Sequence, residues 1–293
     1  MADRKGRELL VLEVPVAEWD DKQSLSDLRE HILTGLNKPV VFRARINSWN
    51  STNGWSPTQI CKLLAKKQTV FKICPKRESS IFQSRFKENE AIFETQCEHV
   101  EATFSDFSEW LHSSEEFHTP RHSLGTTSHN DHCCEPSTKR VKLDERDSNN
   151  TSSDSLTSCT NPLLLYPRAQ YWIYADYKYM HQLCDDMPEM LSAVDWSVFG
   201  FQGRDGKDTT LWVGSEGACT PCHYDTYGCN LVAQLWGRKK WLLFSPQEAG
   251  RLYPTRIPYE ESSVFSSVCI ESPNLLRYPE FADSTAYEVH LLV

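Results

Sequence analysis

Thr220-Pro221-Cys222-His223-Tyr224-Asp225 carries the densest chemical information in this 293-residue chain. His223 and Asp225 are two positions apart, and alternate residues of a strand point to the same face. One imidazole and one carboxylate therefore project together. They supply two corners of a facial triad of two histidines and one carboxylate, the set that holds Fe(II) while leaving positions open for a co-substrate and dioxygen. A bare His-x-Asp occurs by chance in many solvent-facing strands, so its neighbours carry the weight.

Thr220 precedes the histidine by three residues, Asn230 follows on what reads as the next strand, and Lys239 sits at the turn into the one after. A hydroxyl and an ammonium converging on one cavity bind the far carboxylate of a dicarboxylate by charge-assisted hydrogen bonds, as 2-oxoglutarate requires. Singly, Lys239 within Gly237-Arg238-Lys239-Lys240-Trp241 reads as a solvated turn lysine; the set favours a site. The run Tyr171-Trp172-Ile173-Tyr174, residues Thr210–Gly214, and residues 230–235 and 240–244 all read as strands, with a turn over 236–239. Short strands separated by turns predict a sandwich or barrel.

Upstream, Ser24 can cap a helix with Leu25, Leu28, Ile32 and Leu36 at helical spacing, and Pro39 ends it. Residues 39–44 form a β-branched run that reads as a strand. Ser56-Pro57-Thr58-Gln59 sets out a cap, a first-turn proline and a capping-box glutamine. A further short helix runs from Ser105 through Phe107, Trp110 and Leu111. Residues 112–161 differ: 17 of these 50 are Ser or Thr, a composition that cannot offset its ordering entropy and predicts disorder. Lys139-Arg140-Val141-Lys142-Leu143-Asp144 within it reads as a basic nuclear import motif or a solvated charge cluster. Five histidines (His112, His118, His122, His129, His132) and Cys133-Cys134 lie nearby without the paired spacing of a zinc site. The expected organisation is an N-terminal α/β part over 1–111, an insertion over 112–161 and a core over 162–293.

Lysine and arginine number 31 against 40 acidic residues, a net charge of −9 that predicts no direct nucleic-acid binding and favours a protein substrate or small anion. No uncharged apolar run is long enough for a helix to cross a bilayer, so no membrane association is expected, and no signal peptide is read at the start. Eleven cysteines without regular spacing fit reduced thiols and a cytoplasmic or nuclear chain. Cys219-x-x-Cys222 permits a zinc or redox reading, but strand alternation predicts that the two face opposite sides.

Thr220-Pro-Cys-His-Tyr-Asp, then Asn230-Leu-Val-Ala-Gln-Leu-Trp-Gly-Arg-Lys-Lys-Trp-Leu-Leu-Phe-Ser-Pro, then Leu252-Tyr-Pro, resembles the JmjC hydroxylases of the cupin superfamily. These are Fe(II)- and 2-oxoglutarate-dependent dioxygenases, and the pattern is nearest their asparaginyl-hydroxylase-like branch. Tyr174-Ala-Asp-Tyr-Lys-Tyr, Trp196-Ser-Val-Phe-Gly-Phe and the run from Tyr253 to Ser266 look like the branch associated with small heat-shock proteins. The resemblance is dense over 165–282 and implies a mostly β fold with flanking helices, a double-stranded β-helix (the cupin/JmjC jelly-roll). It implies His223 and Asp225 as iron ligands, Thr220, Lys239 and Tyr174 as ligands of the 2-oxoglutarate carboxylate, and Asn230 as a supporting group. Arg238 is the rival to Lys239, and the Gly-x-Lys frame selects Lys239.

One departure stands out. In the family the second metal histidine follows a Pro-Gly turn and a Trp-Trp-His stretch, one strand past the final Ala286-Tyr287-Glu288-Val289-His290-Leu291-Leu292-Val293. A truncated form with a C-terminally incomplete barrel is therefore expected, with weak iron affinity, impaired dioxygenase activity and open edges that permit pairing with a second chain, a homodimer among them. His290 shares a strand face with Glu288 and is expected to be a surface or edge-strand histidine. The implied function is protein hydroxylation; the alternative is a non-catalytic protein that binds a small heat-shock protein in a stress response.

Overall fold

Alternation along one strand organises the molecule. In β2 (Gln68–Pro75), Phe71 and Ile73 face one way and Lys72 and Cys74 the other, and all four are buried. The neighbouring β4 (Tyr171–Tyr179) follows the same rule, with Ile173 and Ala175 joining Phe71 and Ile73 in the main core while Trp172 and Tyr174 join Cys74 on the opposite face. This sheet is therefore covered on both sides, which is why these strands read as near-continuous apolar runs.

The computed structural model describes residues 9–17, 24–113, 161–258 and 260–293. The insertion expected over 112–161, with its basic motif, its histidines at 118, 122, 129 and 132 and its Cys133-Cys134 pair, lies outside these residues except for 112, 113 and 161. The described residues on either side of it belong to one compact unit.

Three sheets are present among the described residues. The first has the order β3-β2-β4-β5, where β3 is Glu98–Thr103 and β5 is Thr210–Gly214, all antiparallel. The second is β6-β9-β8 (His223–Asp225, Ser263–Ser266 and Pro254–Thr255), with His223 opposite Phe265 and Asp225 opposite Ser263. The third is β1-β10-β7, in which β10 (Thr285–Leu292) lies parallel to β1 (Leu10–Glu13) and antiparallel to β7 (Arg238–Phe244). Short, mostly antiparallel strands with flanking helices make this the mostly β jelly-roll that the resemblance implied.

The helices cover the outer face of the first sheet. Ser24 accepts from the Asp27 N–H at 3.1 Å and starts the helix Leu25–Glu30, which widens into a π turn over His31–Gly35. Ser56 and Gln59 form the reciprocal box that starts Pro57–Leu63. The helix Phe104–His112 begins one residue ahead of the expected start, because Thr103 caps it: Thr103 Oγ1 accepts from the Asp106 N–H at 3.1 Å, and Asp106 Oδ2 accepts from the Thr103 N–H at 2.8 Å. That box sets Phe104 and Phe107 against Phe71, with ring centroids 5.5 and 5.2 Å away. Thr103→Ala is expected to destabilise the fold by about 1 kcal/mol, read as a lower urea midpoint at unchanged slope.

Several sequence expectations need correction. Residues 39–44 make only a bridge between Val41 and Val16, because Pro39 has no N–H to donate and Ala44, at φ +57°, turns the chain away. Residues 230–235 are not a strand. Leu231, Ala233 and Leu235 do pack on the main core with the expected alternation, but β6 and β7 pair with β9 and β10, leaving this segment no ladder. The turn is confined to Trp236 and Gly237 (φ +78°), so Lys239 lies on β7, opposite Leu291, rather than in the turn. Cys219 and Cys222 line one cavity instead of facing apart, because β6 starts only at His223 and the preceding chain does not alternate as a strand.

Candidate functional site

The pairing of β6 with β9 turns His223 and Asp225 the same way, and His223 Nε2 lies 3.6 Å from Asp225 Oδ1. His223 Nδ1 is 2.8 Å from the Pro221 carbonyl, which only accepts, so Nδ1 carries a proton and Nε2 is the nitrogen that faces Asp225. A carbonyl holding one ring nitrogen is the arrangement found behind metal-ligating imidazoles, and it leaves Nε2 as the nitrogen available to a metal. Asp225 is held in turn: Asn230 Nδ2 donates to Oδ2 at 2.6 Å and Ser263 Oγ to Oδ1 at 3.4 Å. The Phe265 ring packs on the imidazole at a centroid distance of 5.4 Å.

A second cluster joins β4 and β7. Lys239 Nζ donates to Tyr174 Oη at 3.0 Å and lies over the rings of Trp241, Trp212 and Tyr174 at 4.6, 5.4 and 5.7 Å. Burial pushes the ammonium below its usual pKa, and the Lys72 charge adds to this against the pull of Asp176. Among the described residues no carboxylate pairs with Lys239. Burial, with Asp176 next, raises the Tyr174 phenol well above its ordinary pKa, so it stays protonated. Because its oxygen accepts from Lys239, its O–H is left to donate outward.

Lys72, on the same face, is the counter-example. Although only 2% exposed, it is ion-paired to Asp176 and, at 3.0 Å, to Glu94, and it sits 5.5 Å from the Tyr174 ring centre. Its charge is matched, whereas no described carboxylate pairs with Lys239. Thr220 Oγ1 and Trp241 Nε1 are buried and have no hydrogen-bond partner among the described residues.

The expected site residues thus gather into two groups, Tyr174 with Lys239 and His223 with Asp225 and Asn230; the Thr220 hydroxyl bonds to neither and lines a cavity whose wall includes Trp172. Arg238 is exposed, with Leu292 as its β10 partner. His290 is a surface histidine, but β10 is the central strand of its sheet rather than an edge. The ring bonds Glu288 Oε1 at 2.7 Å, and Glu288 also pairs with Lys240.

Sequence reasoning missed Lys72, Asp176, Trp212 and Trp241. A lone lysine inside Val70-Phe71-Lys72-Ile73-Cys74 was a readable sign of a buried ion pair, as was Trp241 two residues beyond Lys239 on the same strand face. The donor set suits the far carboxylate of a dicarboxylate: one half-buried cation, one phenol O–H and one hydroxyl without a partner among the described residues. For a metal it supplies one imidazole and one oriented carboxylate; among the described residues no group of three His, Cys, Asp or Glu side chains is assembled.

The fold is that of a cupin. The family model described as a cupin-like domain matches residues 26–292, and the chain belongs to that family. Its relatives include the human protein named HSPB1-associated protein 1, 36% identical over 262 residues, and the zebrafish (Danio rerio) HSPB1-associated protein 1 homolog, 36% identical over 260. Each match covers 89% of this chain but only 43% and 46% of the relative, so the chain spans less than half the length of these proteins. Lysine-specific demethylase 8 of Danio rerio is 31% identical over 115 residues, 38% of this chain and 28% of that protein.

Proposed function

We propose that this chain is a 2-oxoglutarate-binding cupin of the JmjC type, related to the Fe(II)-dependent protein hydroxylases. In this reading Lys239, Tyr174 and Thr220 hold the far carboxylate of 2-oxoglutarate, and His223 and Asp225 are two of the protein donors to the metal. The observation that carries it is the half-buried Lys239 ammonium, bonded to a phenol, caged by tryptophans and unmatched by any carboxylate among the described residues. A desolvated cation is costly unless it is paired, and a bound dicarboxylate would pair it.

When bound, Fe(II) and 2-oxoglutarate together supply the oxidising power to hydroxylate a C–H bond, with dioxygen consumed and succinate and carbon dioxide released. The chain's own residues do the positioning. Lys239 neutralises the far carboxylate, Tyr174 donates to it, and Trp212 and Trp241 keep water from the ammonium. The Pro221 carbonyl fixes the His223 tautomer, and Asn230 and Ser263 fix the Asp225 rotamer. Isothermal titration under nitrogen, with Fe(II) present, is expected to give saturable 2-oxoglutarate binding at one molecule per chain. Failure to bind 2-oxoglutarate with or without metal would sink the proposal.

A second reading concerns a partner. Relatives named for association with HSPB1 favour a small heat-shock protein as a binding partner of this chain, whether or not it turns over 2-oxoglutarate. Co-elution with a purified small heat-shock protein on gel filtration tests it, and independent elution of the two proteins would reject it.

A further inference from the structure

Behind the Thr220 wall lies a cavity of about 60 Å³ whose lining includes five cysteines, Cys74, Cys97, Cys219, Cys222 and Cys269, all free thiols. Two of them are placed by the sheet itself. The β2–β3 ladder pairs Lys72 with His99 and Ile73 with Glu98, so Cys74 and Cys97 are the next residues to face each other. Facing residues of antiparallel strands have Cα atoms about 4.5–5.5 Å apart. That spacing lies inside the roughly 4.4–6.8 Å that a disulfide spans. Both pack on the same face of the sheet as Trp172 and Tyr174, and the Cys97 S–H donates to the Phe93 carbonyl at 3.8 Å.

We propose that Cys74 and Cys97 form an oxidisable dithiol that hydroperoxides, reaching it through this cavity, convert to a disulfide. Cys74 sulfur attacks the peroxide oxygen and the O–O bond breaks; one oxygen stays on Cys74 as a sulfenic acid and the other leaves as water or alcohol. Cys97 sulfur then attacks Cys74 sulfur. The S–O bond breaks, the hydroxyl leaves as water with the Cys97 proton, and the two electrons lost by the thiols have reduced the peroxide. The environment matches this order of roles. The neighbouring Cys97 thiol, with the Arg85 and Arg77 charges, holds the Cys74 thiol below its usual pKa against burial, while Cys74 and burial push the Cys97 thiol up.

The test uses the intact chain. It is treated with equimolar hydrogen peroxide, alkylated, and digested with trypsin without reduction. Peptides 73–76 and 88–121 each contain a single cysteine, so the cross-link is read without ambiguity. The expected product is these two peptides joined, two hydrogens lighter than their sum and separated by dithiothreitol, with alkylation lost at both cysteines. In Cys97→Ser, dimedone is expected to trap a sulfenic acid on Cys74. Disulfides confined to Cys219, Cys222 or Cys269, or alkylation of Cys74 and Cys97 at the untreated level, would overturn the proposal, and neither readout depends on the variant folding.

Discussion

Lys239→Met is expected to weaken 2-oxoglutarate binding about ten- to a hundredfold, the factor that corresponds to losing a charge-assisted hydrogen bond of about 1.5–3 kcal/mol. Methionine keeps the stem that packs against Trp241 and Trp212, so the loss reports the charge rather than the packing. Titration calorimetry gives the ratio, and native-like affinity in the variant would remove Lys239 from the site. The pH dependence has a definite sign. Burial lowers the ammonium's pKa in the folded chain, so between that value and the unfolded one the unfolded state holds more protons and stability rises with pH. Lys239→Met is expected to remove that rise. Affinity for the dianion runs the other way, falling as pH climbs through the lowered pKa and the charge is lost. Lys239→Arg, whose guanidinium does not titrate there, is expected to hold its affinity across the same range.

Asp176→Ala is expected to be the most destabilising substitution near the site, at about 3 kcal/mol. Removing one partner of a buried pair strands the other, at about 3–5 kcal/mol, and Glu94, still 3.0 Å from Lys72, limits the effect to the lower end. Urea unfolding measures it. The Asp176→Ala, Lys72→Met double variant is expected to recover most of the loss, because an apolar side chain of similar length suits a position only 2% exposed. If the double variant is no more stable than the single one, the ion pair is not the source of the effect. The Lys72 triad also separates two lysines of neighbouring sheets: one is matched by two carboxylates, and the other by none among the described residues.

Local rules were legible in the chain. The Ser56-Gln59 box, the Ser24 cap and the strand Thr210–Gly214 appear as expected, since each depends on residues within a few positions of one another. Period-two spacing likewise placed His223 and Asp225 on one face, and the resemblance of the run from Thr220 to Pro246 pointed to the cupin family. The failures share a cause. Residues 39–44 and 230–235 have strand composition but lack a full ladder, and a ladder is supplied by other parts of the chain.

What the sequence determined by itself is therefore the set of residue types and their short-range order: caps, alternation, the His-x-Asp pair and the Gly-x-Lys frame. Only the tertiary structure decided which charges are matched. It brought Asp176 and Glu94 to Lys72 while leaving Lys239 with a phenol and two tryptophans, and it set Cys97 across from Cys74. Desolvation and pairing depend on neighbours distant in sequence, so the same residue type becomes a structural ion pair at one position and a candidate ligand site at another.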